Sequence, residues 1–150
     1  MAGPPKPLAV LDTNLYVSYL ITPSGPTARL VALGLAGEGF SIATSHGLME
    51  ELRHVVTYPH IISKYTIDPK AVVALLTLLH RRAYITAGDY VVGKLDDLGD
   101  NVVLACALEA GAQHIVTGDP HLLNLKEYRG VQILSVADAA VLFSAGRSGS

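Results

Sequence analysis

Four acids in this sequence, Asp12, Glu51, Asp100 and Asp119, fall where one end of a parallel sheet would gather them. In such sheets, sites form beyond the carboxyl ends of the strands. Asp12 directly follows the apolar run "LAVL" (8–11), and Asp119 directly follows "HIVTG" (114–118). Asp100 opens the apolar segment that leads into the second of these runs. Glu51 is placed by helical geometry within "SHGLMEELRHVV" (45–56). With Leu48 at zero and 100 degrees per residue, Leu52, Val55 and Val56 fall at about 40, 340 and 80 degrees. Glu51, at about 300 degrees, borders this apolar stripe and can lean along the sheet towards the other acids. Glu50, at about 200 degrees, must face water.

Carboxylates gathered at one rim repel and desolvate each other, so at least one should titrate above the ordinary range. Such a cluster persists mainly when a cation holds it. Oxygen-only ligands suit Mg2+ or Mn2+. A centre of this kind can activate water and stabilise a departing oxyanion, the chemistry of phosphodiester hydrolysis.

The elements that must position these acids alternate along the chain. Short apolar runs predict buried strands at 8–11, 40–44, 114–118 and 131–135, with a further short strand at 83–86. Helical spacing covers 14–21, 26–36, 46–57, 69–83, 101–111 and 136–143. The segment "VVLACALEAGA" (102–112) is apolar on every side except Glu109, which predicts a buried helix. Asp100 or Asn101 suits its N-cap and Gly111 its C-terminus. This alternation predicts a three-layer α/β/α sandwich with a mainly parallel, twisted sheet.

At 150 residues the chain is read as a single domain, with a Pro-rich lead-in at 1–7 and a loose tail at 145–150. Half the residues are hydrophobic and mean hydropathy is +0.38, which favours helices covering a sheet. No apolar run reaches the ~18 residues that a membrane span needs. The start "MAGPPKP" lacks the apolar core of a signal peptide, and the single Cys106 cannot form an internal disulfide. Together these features predict a cytoplasmic protein. Eleven Lys and Arg against 13 Asp and Glu give a net charge of −2, which does not by itself advertise nucleic-acid binding. Without the four clustered acids, however, the remainder carries a small basic excess.

These motifs, "VLDTNLYVSYL" (10–20), "SHGLMEELRHVV" (45–56), "DLGDNVVLACALEAGAQHIVTGDPHLL" (97–123) and "VQILS" (131–135), resemble the PIN-domain family over roughly residues 8–140. Within it they are most similar to the bacterial and archaeal toxin components of toxin–antitoxin pairs, relatives of the VapC toxins. The resemblance implies a nuclease that cleaves RNA with a divalent metal, Mg2+ or Mn2+, held by acids. Asp12, Glu51, Asp100 and Asp119 match the catalytic and metal-binding acids, and Asp97 matches an accessory ligand position. Asp96 and Asp97 crowd against Asp100 in the same stretch. Thr13, Asn14 and Thr117 match the small polar residues that support the cluster. The resemblance also implies a cognate antitoxin partner and a homodimer. The apolar helices 14–21 and 26–36 add hydrophobic surface that a second copy would cover. Arg53, Arg81, Arg82 and Lys94 are the candidate phosphate contacts.

Each acid also has a plainer reading. Asp12 suits a turn or a helix N-cap, Asp100 a helix N-cap, Asp119 a Gly-Asp-Pro turn opening a short helix, and Glu51 a solvated helix edge. The six histidines, at 46, 54, 60, 80, 114 and 121, show no zinc-like spacing. His121 is read as surface, Cys106 as inert core, and the tyrosines as packing, with base stacking at Tyr16 or Tyr19 secondary. Two rival functions share the pattern: a catalytically degenerate PIN fold acting as a binding module, and an aspartyl-phosphate phosphatase. The phosphatase needs a second Asp two residues after Asp12, where Asn14 stands.

Overall fold

The computed structural model describes residues 6–88 and 101–147. Six strands form one sheet: β1 (Leu8–Leu11), β2 (Ser41–Ser45), β3 (Tyr84–Thr86), β4 (His114–Val116), β5 (Glu127–Tyr128) and β6 (Val131–Leu134). Their order is β3-β2-β1-β4-β6-β5, with β1 and β4 central. Every neighbouring pair is parallel except β5–β6. The helices are α1 (Thr13–Ile21), α2 (Pro26–Ala36), α3 (His46–Val56), α4 (Pro59–Lys64), α5 (Pro69–Arg82), α6 (Val102–Ala110), α7 (Pro120–Leu123) and α8 (Val136–Arg147).

Successive strand residues point to opposite faces, so the sheet serves two cores. Ala9, Leu11, Ile42 and Val116 face a core built with Leu15 and Tyr16 of α1, Leu30 and Val31 of α2, Leu52 of α3, Leu75 and Leu79 of α5, and Phe143 of α8. Val10, Ala43 and Ile115 face the opposite core, closed by Leu104, Cys106 and Ala107 of α6 and Leu122 of α7. The result is the expected three-layer α/β/α sandwich. Apolar except at Glu109, α6 is covered on nearly every side, with Val102 its one exposed large apolar residue. Its cap is Asn101, whose side chain accepts from the backbone N–H of Val103 and Leu104. Gly111 closes it in the left-handed conformation, φ 68°.

The sheet carries a hairpin that the sequence pattern did not disclose. Arg129 (φ 49°) and Gly130 (φ 88°) both lie in the left-handed region, giving the two-residue turn that joins β5 to β6. A two-residue strand is too short to show any alternation. The six-residue α4 was likewise not anticipated, since it spans too few turns to show a period, whereas the short α7 is the helix that the Gly-Asp-Pro turn opens.

The apolar residues of 14–21 and 26–36 are partly buried, and Tyr19, Ala32, Leu35 and Ala36 line a groove with Leu78 and Arg82. Val17, Tyr19, Leu20 and Leu33 pack against the first core. The exposed large apolar residues lie elsewhere, including Ile62 on α4, Val73 on α5, Tyr84 on β3 and Val141 on α8. Among the described residues, no helix is long and apolar enough to cross a membrane.

Candidate active site

β1 delivers Asp12 to the carboxyl edge of the sheet, where its backbone N–H donates to Val116 O at 3.0 Å. Asp12 occupies the N-cap position of α1, yet its side chain makes no capping hydrogen bond. Its Oδ2 instead accepts from Thr117 Oγ1 at 2.7 Å. The same fully buried Thr117 hydroxyl accepts from the backbone N–H of Asp119 at 3.0 Å. One hydroxyl therefore fastens both acid-bearing segments together. Asp119 does cap a helix: its Oδ1 accepts from His121 N–H at 2.9 Å, opening α7. The plainer capping reading thus describes Asp119 but not Asp12.

Glu51 comes from α3, whose start is fixed by Ser45 Oγ accepting from Leu48 N–H at 3.2 Å. Partial burial, followed by the charge of Asp12, pushes the Glu51 carboxyl above its usual range. Thr13 pulls in the other direction, although its buried Oγ1 forms no hydrogen bond of normal geometry. Glu51 is more exposed than a residue at the stripe's edge should be. Met49 joins the buried stripe and rotates its centre away from Glu51. Glu50 faces solvent and pairs with Arg53 at 2.7 Å.

Asp12, Glu51 and Asp119 line one cleft of about 300 Å³ together with Asn14, Asn101, Val102, Val103 and Leu122. Asp97 and Asp100, with neighbouring Asp96, lie outside the described residues, as does Lys94. Among the described residues, no group of three or more His, Cys, Asp or Glu stands close enough to hold a metal ion. Among the described residues, the polar side chains lining the cleft are nevertheless carboxylates and carboxamides only. That chemistry fits a hard divalent cation rather than zinc. The electrostatic strain between Glu51 and Asp12 is the kind that a cation relieves.

The described arginines do not enter this cleft. Arg53 lines a shallow cavity with Glu50, His54 and Thr57. Arg82 lines a groove with Tyr19, Leu35 and Leu78, and Arg81 neighbours it at the exposed end of α5. Tyr16 is buried, so base stacking there is ruled out, and burial raises its phenol far above the ordinary value. His121 is exposed, as expected. The fold also makes one approach that spacing did not reveal: His46 of α3 and His80 of α5 have ring centroids 6.1 Å apart.

A family model of the PIN domain matches residues 9–121. No curated protein matches the sequence significantly. Among solved structures, a chain of VapBC2 from Rickettsia felis, bound to a DNA fragment from their promoter, is similar in fold. The TM-score is 0.53 at 16% identity, over 85% of this chain and 98% of that one.

Proposed function

The chain belongs to the PIN-domain family, and on that premise we propose that it is a divalent-metal-dependent endoribonuclease acting on RNA phosphodiester bonds. The observation that carries this reading is the meeting of Asp12, Glu51 and Asp119 in one cleft at the edge of β1 and β4. Asp100 is the fourth ligand of the proposal and Asp97 an accessory one. Together they would hold Mg2+ or Mn2+. When bound, the ion supplies an acidified water and offsets charge developing on the phosphate oxygens.

The chain's own groups do the positioning. Thr117 orients the Asp12 carboxylate and anchors the Asp119 backbone through one hydroxyl. Asn101 fixes the first turn of α6, whose Val102 and Val103 wall the cleft. Thr13 and Asn14 follow Asp12 in α1, with Asn14 at the cleft. Arg53, Arg81, Arg82 and Lys94 remain the phosphate contacts of the proposal, acting on RNA that extends beyond the cleft.

The biological role proposed is that of a cytoplasmic toxin paired with a small antitoxin protein. Its support is the PIN family together with the fold shared with a chain of VapBC2. A homodimer completes the proposal. The decisive experiment is cleavage of single-stranded RNA by the purified chain. Cleavage should require Mg2+ or Mn2+, stop with EDTA, and vanish in Asp12→Asn. RNA binding without cleavage in either metal would overturn the nuclease and leave the binding-module reading.

A further inference from the structure

His46 is the first residue of α3, and His80 lies in the last turn of α5. Both side chains are exposed, and neither lines the acid cleft. Their rings stand 6.1 Å apart, centroid to centroid, inclined at 50°. His80 Nδ1 lies 3.0 Å from Leu76 O. A carbonyl oxygen can only accept, so Nδ1 is the donor here, and in the neutral ring Nε2 is the nitrogen left for a metal. Metal-binding histidines are commonly oriented this way, the second ring nitrogen donating to a backbone carbonyl.

We propose that His46 and His80 form a transition-metal site of the zinc class, separate from the acid cleft. A tetrahedral ion about 2.0–2.1 Å from one nitrogen of each ring would bring the centroids to roughly 5 Å. The difference from 6.1 Å is about one ångström, within reach of small rotations of two exposed side chains. No third His, Cys, Asp or Glu completes the group among the described residues, and the proposed site takes water as its further ligands. Two imidazoles favour Zn2+, Ni2+ or Cu2+, whereas oxygen-only sites favour Mg2+ or Mn2+. The bound ion would fasten the end of α5 to the start of α3, the helix that carries Glu51. This proposal does not rest on the nuclease reading.

The test uses the full chain at pH 7.5, with Zn2+ and Mg2+ titrated separately by calorimetry and thermal melting. Four proteins are compared: wild type, His46→Gln, His80→Gln and the double variant. His54→Gln is the control. The acid cleft is common to all and cancels from the comparison. Because both rings are exposed, the variants should melt like wild type without metal. Each single substitution should weaken Zn2+ binding by at least about tenfold, the double no further, and the control not at all. Mg2+ binding should be unchanged throughout. Wild-type Zn2+ affinity in His46→Gln, or independent additive losses in the two single variants, would overturn the shared site.

Discussion

Asp12 stands at a helix N-cap but bonds across the sheet edge to Thr117, and this geometry separates two substitutions that look alike on paper. In Asp12→Asn the amide oxygen can still accept from the Thr117 hydroxyl, while the repulsion of Glu51 is gone. Cleavage should be lost and the metal-free melting temperature should hold or rise slightly. Asp12→Ala should also lose cleavage, but it leaves the O–H donor of the fully buried Thr117 without its acceptor, at a cost of about 1–3 kcal/mol. Equal melting temperatures for the two variants would refute the role given to the Thr117 bond. On α3, Glu51→Gln should abolish activity and Glu50→Gln should leave it intact, because Glu50 is held in solvent by Arg53. The reverse result would show that the wrong glutamate was assigned. That Glu51 and not Glu50 reaches the cleft was legible from helical angles, although the burial of Met49 shifted the stripe. Thr117 as the link between two acids was not legible, because a hydroxyl's partners depend on how strands β1 and β4 pair. His114 offers a pH test at the same scale. Burial lowers its pKa from the ordinary 6.5, its Nδ1 is buried without a partner, and its ring meets Phe143 edge-on. The folded state therefore resists protonation. Its contribution to stability is complete above pH 6.5 and is lost as pH falls through the folded value. Proton NMR should place the His114 midpoint below 6.5, and a midpoint at or above it would contradict this account.

Among the elements, α2 shows how a residue that is poor for a helix can be right for a fold. Gly34 sits in its interior, where alanine would favour the helix by roughly 1 kcal/mol. A Cβ there would stand 2.5 Å from Phe40 Cζ and 2.8 Å from Ile42 Cδ1. Phe40 cannot simply move, because it is fully buried and stacks on Phe143 of α8 with centroids 4.3 Å apart. Gly34→Ala should therefore destabilise by about 0–2 kcal/mol net, since overpacking typically costs 1–3 kcal/mol and the helix gains back roughly one. Chemical denaturation measures this directly, and a stabilised variant would show that α2 packs less closely on β2. The long elements were readable because burial imposes a period on them. Helix 26–36 and strand 8–11 emerged with the bounds the sequence predicts. The β5–β6 hairpin was not readable, because its turn depends on Arg129 adopting a left-handed φ, which arginine does not advertise. The approach of His46 to His80 was hidden for a related reason: α3 and α5 are separated by α4, and only the packed fold sets their spacing.

For the whole molecule, the composition pointed to a buried sheet between helices, and the two cores have that form. Composition could not say where surface apolar residues would lie: α1 and α2 keep theirs partly buried along a groove, while the most exposed include residues of α4, α5, β3 and α8. The net charge of −2 likewise conceals its own distribution, because several of its acids converge on one cleft. That convergence links metal to global stability. Any ion bound by the folded chain and not by the unfolded chain stabilises by mass action, by about 2.7 kcal/mol at a hundredfold excess over Kd. For a chain of this size each kcal/mol moves the melting temperature by roughly 2–4 °C. Saturating Mn2+ should thus raise the wild-type melting temperature by about 5–11 °C. The effect should be greatest above the raised Glu51 pKa, where the Glu51 carboxylate is charged and the metal-free cleft is most strained. Below that pKa protons compete with the ion and the gain should shrink. Asp12→Asn should start at or slightly above the wild-type melting temperature without metal and gain only a small part of the rise with it. The two melting curves should therefore cross as Mn2+ is added, and an equal rise in both proteins would remove Asp12 from the set of ligands.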